Sequence, residues 1–267
     1  MTKFCRWLLV TLCVTTTVHA LELKGELTQG SLLRSEVPAG TLVWLDDNPV
    51  KVLPDGKFVI GFGRDAAPAH TLRWLVPGEQ EQSTTLTLTT REYPTQRIEG
   101  VPQAMVTPPE SVLARIKDDN WRVAQARKTS SELSYFANDF IWPAEGPVTG
   151  VYGSQRIFNG VPKRPHYGVD VGAPTGTPVV APVGGVVTLA EPDLYYSGGT
   201  IIIDHGLGVN SSFLHLSKLT VKAGDKVTQG QKVGEIGATG RVTGPHLDWR
   251  INWFGERLDP ALLVPAR

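Results

Sequence analysis

Five side chains in roughly the last hundred residues could bind a metal or move a proton: His166, Asp170, His215, His246 and Asp248. A His and an Asp four residues apart, joined by a third ligand far along the chain, is how a β-fold assembles a zinc site that keeps one position open. Two further histidines remain for acid, base or electrostatic work. Zinc, water and a histidine together hydrolyse amides.

The local sequence constrains how these groups meet. His166-Tyr167-Gly168-Val169-Asp170 suits an extended or bulged segment. In a straight strand, residues i and i+4 share a face but lie about 13 Å apart. A bend or bulge near Gly168 is therefore required if both are to reach one ion. His246-Leu247-Asp248 has the period of two that places both polar side chains on one face. Leu247, Trp249 and Ile251 share the opposite, buried face. Gly244-Pro245 turns the chain into this strand. Taken alone, each pair could equally be a solvated strand face or turn. His70 and His205 are read as structural, the first beside a strand and the second in a turn.

The 267 residues suffice for one large or two modest domains. Formal charge is zero and no long basic run occurs, which gives no basis for nucleic-acid binding. Residues 1–20 read as a secretory signal peptide: Lys3 and Arg6, then an apolar Trp7 to Val14, then Val18-His19-Ala20. Cleavage there removes both cysteines, leaving no disulfide and no thiolate. It also removes Lys3 and Arg6 from a balance of 26 basic and 26 acidic residues, leaving a formal charge of −2. No other segment reads as membrane-spanning, so the mature chain is not expected to be an integral membrane protein.

The fold expected is mainly β. Residues 21–106 read as a small β-sandwich-like N-terminal domain, with strands near 41–45, 57–62, 71–76 and 84–89. Residues 107–140 form a helical connector. There Thr107, Pro108 and Glu110 make a capping box, and Leu113, Ile116 and Val123 form the apolar face. Residues 141–267 hold twenty of the 28 glycines and short β-branched runs. They read as a compact, bent antiparallel β-sheet domain.

From Trp142-Pro143 to about Pro260 the chain resembles the LytM/lysostaphin-type zinc metallopeptidases, which cleave peptide cross-bridges of bacterial peptidoglycan. The likeness runs through Gly153-Ser154-Gln155-Arg156, Asn159-Gly160, His166 to Asp170, Gly176-Thr177-Pro178-Val179, Asp204-His205-Gly206, Phe213-Leu214-His215-Leu216-Ser217, Val221 to Val227 and Gly244-Pro245-His246-Leu247. The region ahead of it is similar to the β-sheet domain that precedes the catalytic domain in some Gram-negative members. The resemblance implies that His166 and Asp170 hold Zn2+, and that His215 and His246 flank the attacking water. Arg156 and Asn159 are candidates for the cleft rim. The family's third ligand is a histidine; here Asp248 stands in its place. A carboxylate oxygen can ligate zinc. A second carboxylate would also neutralise the ion's charge and leave its water less acidic, which implies slower hydrolysis. The expected substrate is peptidoglycan peptide, in the periplasm or outside the cell. The alternative is a regulator of the same family that binds and activates other murein hydrolases.

Overall fold

The computed structural model describes residues 21–267; the expected signal peptide lies outside the described residues. The N-terminal region is built from short antiparallel strands. Asn48–Val50, Leu42–Leu45, Ala69–Leu75 and Gln82–Thr87 form a four-stranded sheet in that order. Leu32–Glu36 and Lys57–Gly61 pair beside it. Alternation decides what each strand buries. Leu33, Phe58 and Ile60 face the four-stranded sheet and meet Val43, Leu72, Trp74 and Leu86. Leu32 and Val59 point the other way and join the core of the C-terminal sheet. This two-stranded ribbon is thus buried on both faces and ties the two regions together. His70 lies on the Ala69–Leu75 strand and pairs with the Asp46 carboxylate, a local structural contact.

The connector starts later than the sequence implied. A short helix α1 (Gln103–Val106) ends at Thr107, which is extended at φ −132° and ψ 92°. Pro109 is also extended, at φ −68° and ψ 156°. The main helix α2 runs Leu113–Arg127, behind a single 3-10 turn at Glu110–Val112. The cause is the Pro108-Pro109 pair, since a residue preceding proline is driven out of the α region. Thr107 therefore closes the C-terminus of α1, its amide bonding the Gln103 carbonyl, and does not cap α2. The buried face of α2 also differs: Leu113 is 48% exposed, while Val123 and Ala126 pack on Leu189, Leu194 and Ile202 of the C-terminal sheet. Asp119 is buried on the same side and accepts from the Tyr195 amide at 2.7 Å.

The C-terminal region is a ten-stranded sheet. Its central order is Lys226–Val227, Gly185–Leu194, Gly198–Gly206, Val209–Leu219, His246–Trp253, Val169–Gly172 and Val148–Gly150. All these neighbours are antiparallel. One face carries Val171, Ile201, Ile203, Phe213, Leu247, Trp249 and Ile251, all fully buried. Each such side chain stabilises the fold by about 1.5–3 kcal/mol. The opposite face of the same central strands carries the polar residues of the site. A parallel pairing of Thr95–Ile98 with Gln155–Phe158 stitches the end of the N-terminal region to this part of the chain.

His205 is buried within the sheet and has a defined tautomer. Its Nδ1–H donates to the Gly184 carbonyl at 2.8 Å, so Nε2, 2.7 Å from Ser211 Oγ, accepts from that hydroxyl. Burial pushes its pKa down to about 4. The unfolded state then binds a proton that the folded state refuses, and stability falls as pH drops from about 6.5 towards 4. The full effect is up to about 3 kcal/mol. Urea denaturation between pH 7 and pH 4 should show this loss, and His205→Gln should make it smaller.

Candidate metal centre and catalytic histidines

The site begins with a register. Val169–Gly172 pairs with His246–Trp253 so that Asp170 lies directly opposite Asp248, and Gly172 opposite His246. The other neighbour of Asp170 is Gly150. A Cβ at position 150 would stand 2.2 Å from Asp170 Oδ2, so only glycine leaves room for this carboxylate. His166 reaches the same place from the segment before the strand. Its backbone is held on both sides, by its own amide to Ser154 O at 2.8 Å and by the Gly153 amide to its carbonyl at 2.7 Å. Gly168 lets the chain cross close above the neighbouring strand. A Cβ there would lie 2.6 Å from both Asp248 Oδ1 and the Trp249 carbonyl. The glycine demanded by the His-Asp spacing is present for close approach, and the register of Val169–Gly172 shifts against Val148–Gly150 just after Asp170.

His166 Nε2 lies 3.0 Å from Asp170 Oδ1 and 3.5 Å from Asp248 Oδ2. One donor atom from each of the three residues lies within 4.8 Å of the others. A tetrahedral ion with ligands at about 2.0–2.2 Å would set its donors about 3.3–3.6 Å apart. His166 Nε2 and Asp170 Oδ1 are buried without an aligned hydrogen bond. Orphaned, converging donors of this kind fit a divalent cation. Burial alone would drive His166 towards neutrality, but the Asp248 and Asp170 carboxylates outweigh it and raise its pKa. A proton on His166 therefore competes with a metal for the same site.

Arg250 was not among the expected site residues. Its Nε donates to Asp248 Oδ1 at 2.9 Å and its Nη2 to Asp248 Oδ2 at 2.5 Å. This two-pronged pair holds Asp248 well below the usual carboxylate range against the opposing effect of burial. Arg156 similarly donates to Asp170 Oδ2. Position 250 continues the period-two face of His246 and Asp248, which is the signal that could have found it. The charge argument from Asp248 alone is thereby incomplete. Asp248 and Arg250 together are neutral, as an imidazole is. The fork would oppose a metal here, because a guanidinium stands beside the place an ion would take.

The two remaining histidines converge on the cluster. His246 Nε2 lies 3.8 Å from Asp170 Oδ1, and its Nδ1 faces the Gly244 carbonyl at 2.9 Å. His215 Nδ1 faces the Thr239 carbonyl at 2.9 Å, and burial holds its pKa down to about 4. In its neutral form each ring donates through Nδ1 and keeps Nε2 as an acceptor. Their centroids are 4.9 Å apart. Strict alternation would put His215 on the core face with Phe213. A bulge prevents this: Phe213 pairs with Ile201 but Leu216 pairs with Gly199, one residue too many on the Val209–Leu219 strand. His215 takes the left-handed conformation at φ +66° and turns onto the site face. Such backbone costs about 1–3 kcal/mol and is typical of functional positions.

Of the two cleft candidates, Arg156 lines a groove beside the cluster. Asn159 lies elsewhere: its side chain bonds both the carbonyl and the amide of Val101. It fastens the loop before α1 and does not line the groove.

The model of Peptidase family M23 matches residues 164–260. A peptidoglycan DD-endopeptidase, ShyA of Vibrio cholerae, is 45% identical over 98 residues, covering 36% of this chain and 23% of the relative. The cell division protein DipM of Caulobacter vibrioides is 29% identical over 166 residues, covering 60% of this chain and 26% of the relative. The chain thus spans about a quarter of the length of these curated relatives. A crystal structure from Pseudomonas aeruginosa, described as a peptidase M23, matches with a TM-score of 0.62 at 26% identity, covering 89% of this chain and 95% of that one.

Replacing Arg250 by Gln should separate the two cations that compete for Asp248. The metal-free variant should lose about 3 kcal/mol of stability, since a buried carboxylate is left without its partner. Its zinc affinity, measured by chelator competition, should rise at least about tenfold. In the parent protein, zinc should bind more tightly at pH 8 than at pH 6 and release protons as it does so.

Proposed function

We propose that this chain, whose residues 164–260 match the model of Peptidase family M23, is a zinc-dependent endopeptidase hydrolysing peptide cross-links of bacterial peptidoglycan in the cell envelope. The observation that carries this reading is the convergence of His166, Asp170 and Asp248 beside two histidines that each anchor Nδ1 on a backbone carbonyl. His166 Nε2, Asp170 Oδ1 and Asp248 Oδ2 would hold the ion. Bound zinc would supply Lewis acidity for the scissile carbonyl and lower the pKa of water.

The protein's own groups perform the proton work. His246 and His215 present basic nitrogens towards the cluster, and one of them takes the proton of the attacking water. Once protonated, the same imidazolium returns that proton to the leaving amine, while the other, with Nε2 as an acceptor, orients the water. The fixed Nδ1–H bonds to Gly244 and Thr239 keep both rings in the required tautomer. Asp248 makes the metal weakly held, because Arg250 already occupies both its oxygens.

A second reading, a non-hydrolytic partner of other murein hydrolases, is favoured by one observation: each carboxylate of the cluster already carries an arginine. Zinc content separates the two, with about one ion per chain expected for the enzyme. Purified sacculi should release muropeptides with zinc-loaded protein and none after chelation. Asp248→His combined with Arg250→Gln should raise both zinc retention and rate. Asp248→His alone should not, since it strands Arg250 beside the ion.

A further inference from the structure

Next to the cluster lies a groove of about 1010 Å³, reached through His166 and Tyr167. Eight cationic side chains line it and no carboxylate does. Two of them, Arg156 and Arg250, are engaged by Asp170 and Asp248. The other six are Arg127, Lys128, Lys163, Arg164, Arg241 and Arg257. Among the described residues none of these six has a carboxylate partner. What they have instead are neutral anchors. Arg127 donates to Ser212 Oγ at 3.2 Å, and its Nε is buried without a partner. Lys163 Nζ donates to the Val106 carbonyl at 2.7 Å. Arg241 lies over the rings of Phe158 and Tyr196, at 4.9 Å and 4.6 Å, and reaches the Met105 carbonyl at 3.3 Å. Arg257 donates to the Asn252 amide oxygen.

In a chain of zero formal charge, six cations without a carboxylate partner share one concavity. Burial together with the nearness of Arg257 and Arg250 depresses Arg127, so the folded protein bears a cost to keep this charge in place. Repelling charges held by neutral anchors are a site waiting for an anion. The four anchored cations come from α2, from the loop before His166, from the loop after Thr239 and from the Glu256–Leu258 strand. Cations supplied by four separate segments suit a ligand that carries more than one anionic group.

We propose that this groove binds the free carboxylates of a peptide, with Arg127, Lys163, Arg241 and Arg257 as contact groups, and that helix α2 thereby forms one wall of the ligand site. The identity of the peptide rests on the peptidase reading: the stem peptides of peptidoglycan carry free carboxylates beside their cross-links. Binding itself needs neither metal nor cleavage.

The test uses chelator-treated protein and calorimetry. The probes are the stem peptide L-alanyl-γ-D-glutamyl-diaminopimelyl-D-alanine, the same peptide with every carboxylate amidated, and inorganic phosphate. The acid peptide should bind, more weakly as salt rises. Amidation should weaken binding by about tenfold or more, and Arg241→Gln and Lys163→Gln should each do the same to the acid peptide. Arg241→Lys should keep most of the affinity. Equal binding of the acid and amidated peptides, no change in either variant, or binding of phosphate alone would each overturn the proposal. Should Arg241→Gln fail to fold, Lys163→Gln, at the half-buried rim, decides. Peptide binding without digestion of sacculi sinks the hydrolase and leaves this site standing; digestion without carboxylate-dependent binding does the reverse.

Discussion

Two carboxylates face each other across a pair of antiparallel strands in a dry part of the sheet, and most of the polar architecture follows from that. Asp170 and Asp248 are direct cross-strand partners, 6% and 1% exposed. Like charges in this position repel, and burial adds a desolvation penalty for each. Something cationic must stand between or beside them. The protein supplies three candidates: the imidazole of His166, the guanidinium of Arg156 and the fork of Arg250. A divalent ion is a fourth. Without a metal, the two carboxylates favour the protonated form of His166 and raise its basicity in spite of deep burial. A metal bound here would exchange one cation for another within a preformed cradle.

The scaffold makes this cradle by removing side chains at two points and adding one residue at a third. Gly150 and Gly168 open space for the Asp170 and Asp248 carboxylates. The bulge ahead of Leu216 rotates His215 out of the core and onto the face shared by Asp248 and His246. These devices stand on strands whose other face holds Phe213, Leu247 and Trp249, all fully buried. A rigid apolar layer therefore backs a layer of charges. Preorganisation of that kind keeps the reacting groups in place at no cost at the moment of reaction.

The legible parts of the site were those encoded by short-range spacing. His246 and Asp248 at a period of two, and a glycine between His166 and Asp170, could be read directly. The face assignment of Leu247, Trp249 and Ile251 followed from the same period. His215 could be placed by resemblance only, because a bulge is a property of pairing between strands and leaves no mark in one strand's pattern. Arg250 continues the period-two face of Asp248, but a resemblance built on ligands carries no signal for their counter-ions. The connector misled for a different reason. Thr107, Pro108 and Glu110 satisfy the spacing of a capping box, yet the second proline at 109 holds the chain extended and moves the start of α2 to Leu113. Two local rules conflicted there, and the steric one prevailed.

Net charge was the least informative number in the sequence. Equal totals of acidic and basic residues hid a strong segregation: acids concentrated elsewhere, and a groove walled by cations from segments more than a hundred residues apart. That arrangement joins the connector to the chemistry. Arg127 at the end of α2 and Arg257 near the chain's C-terminal end have no contact in sequence, and they meet only because α2 packs on the strand pair through Val123, Ala126, Leu189 and Ile202. The apolar face of the helix is thus what fixes the charge distribution of the cleft. If α2 moved off the sheet, the potential felt by an approaching anion would change even though every ligand of the metal cluster stayed where it was.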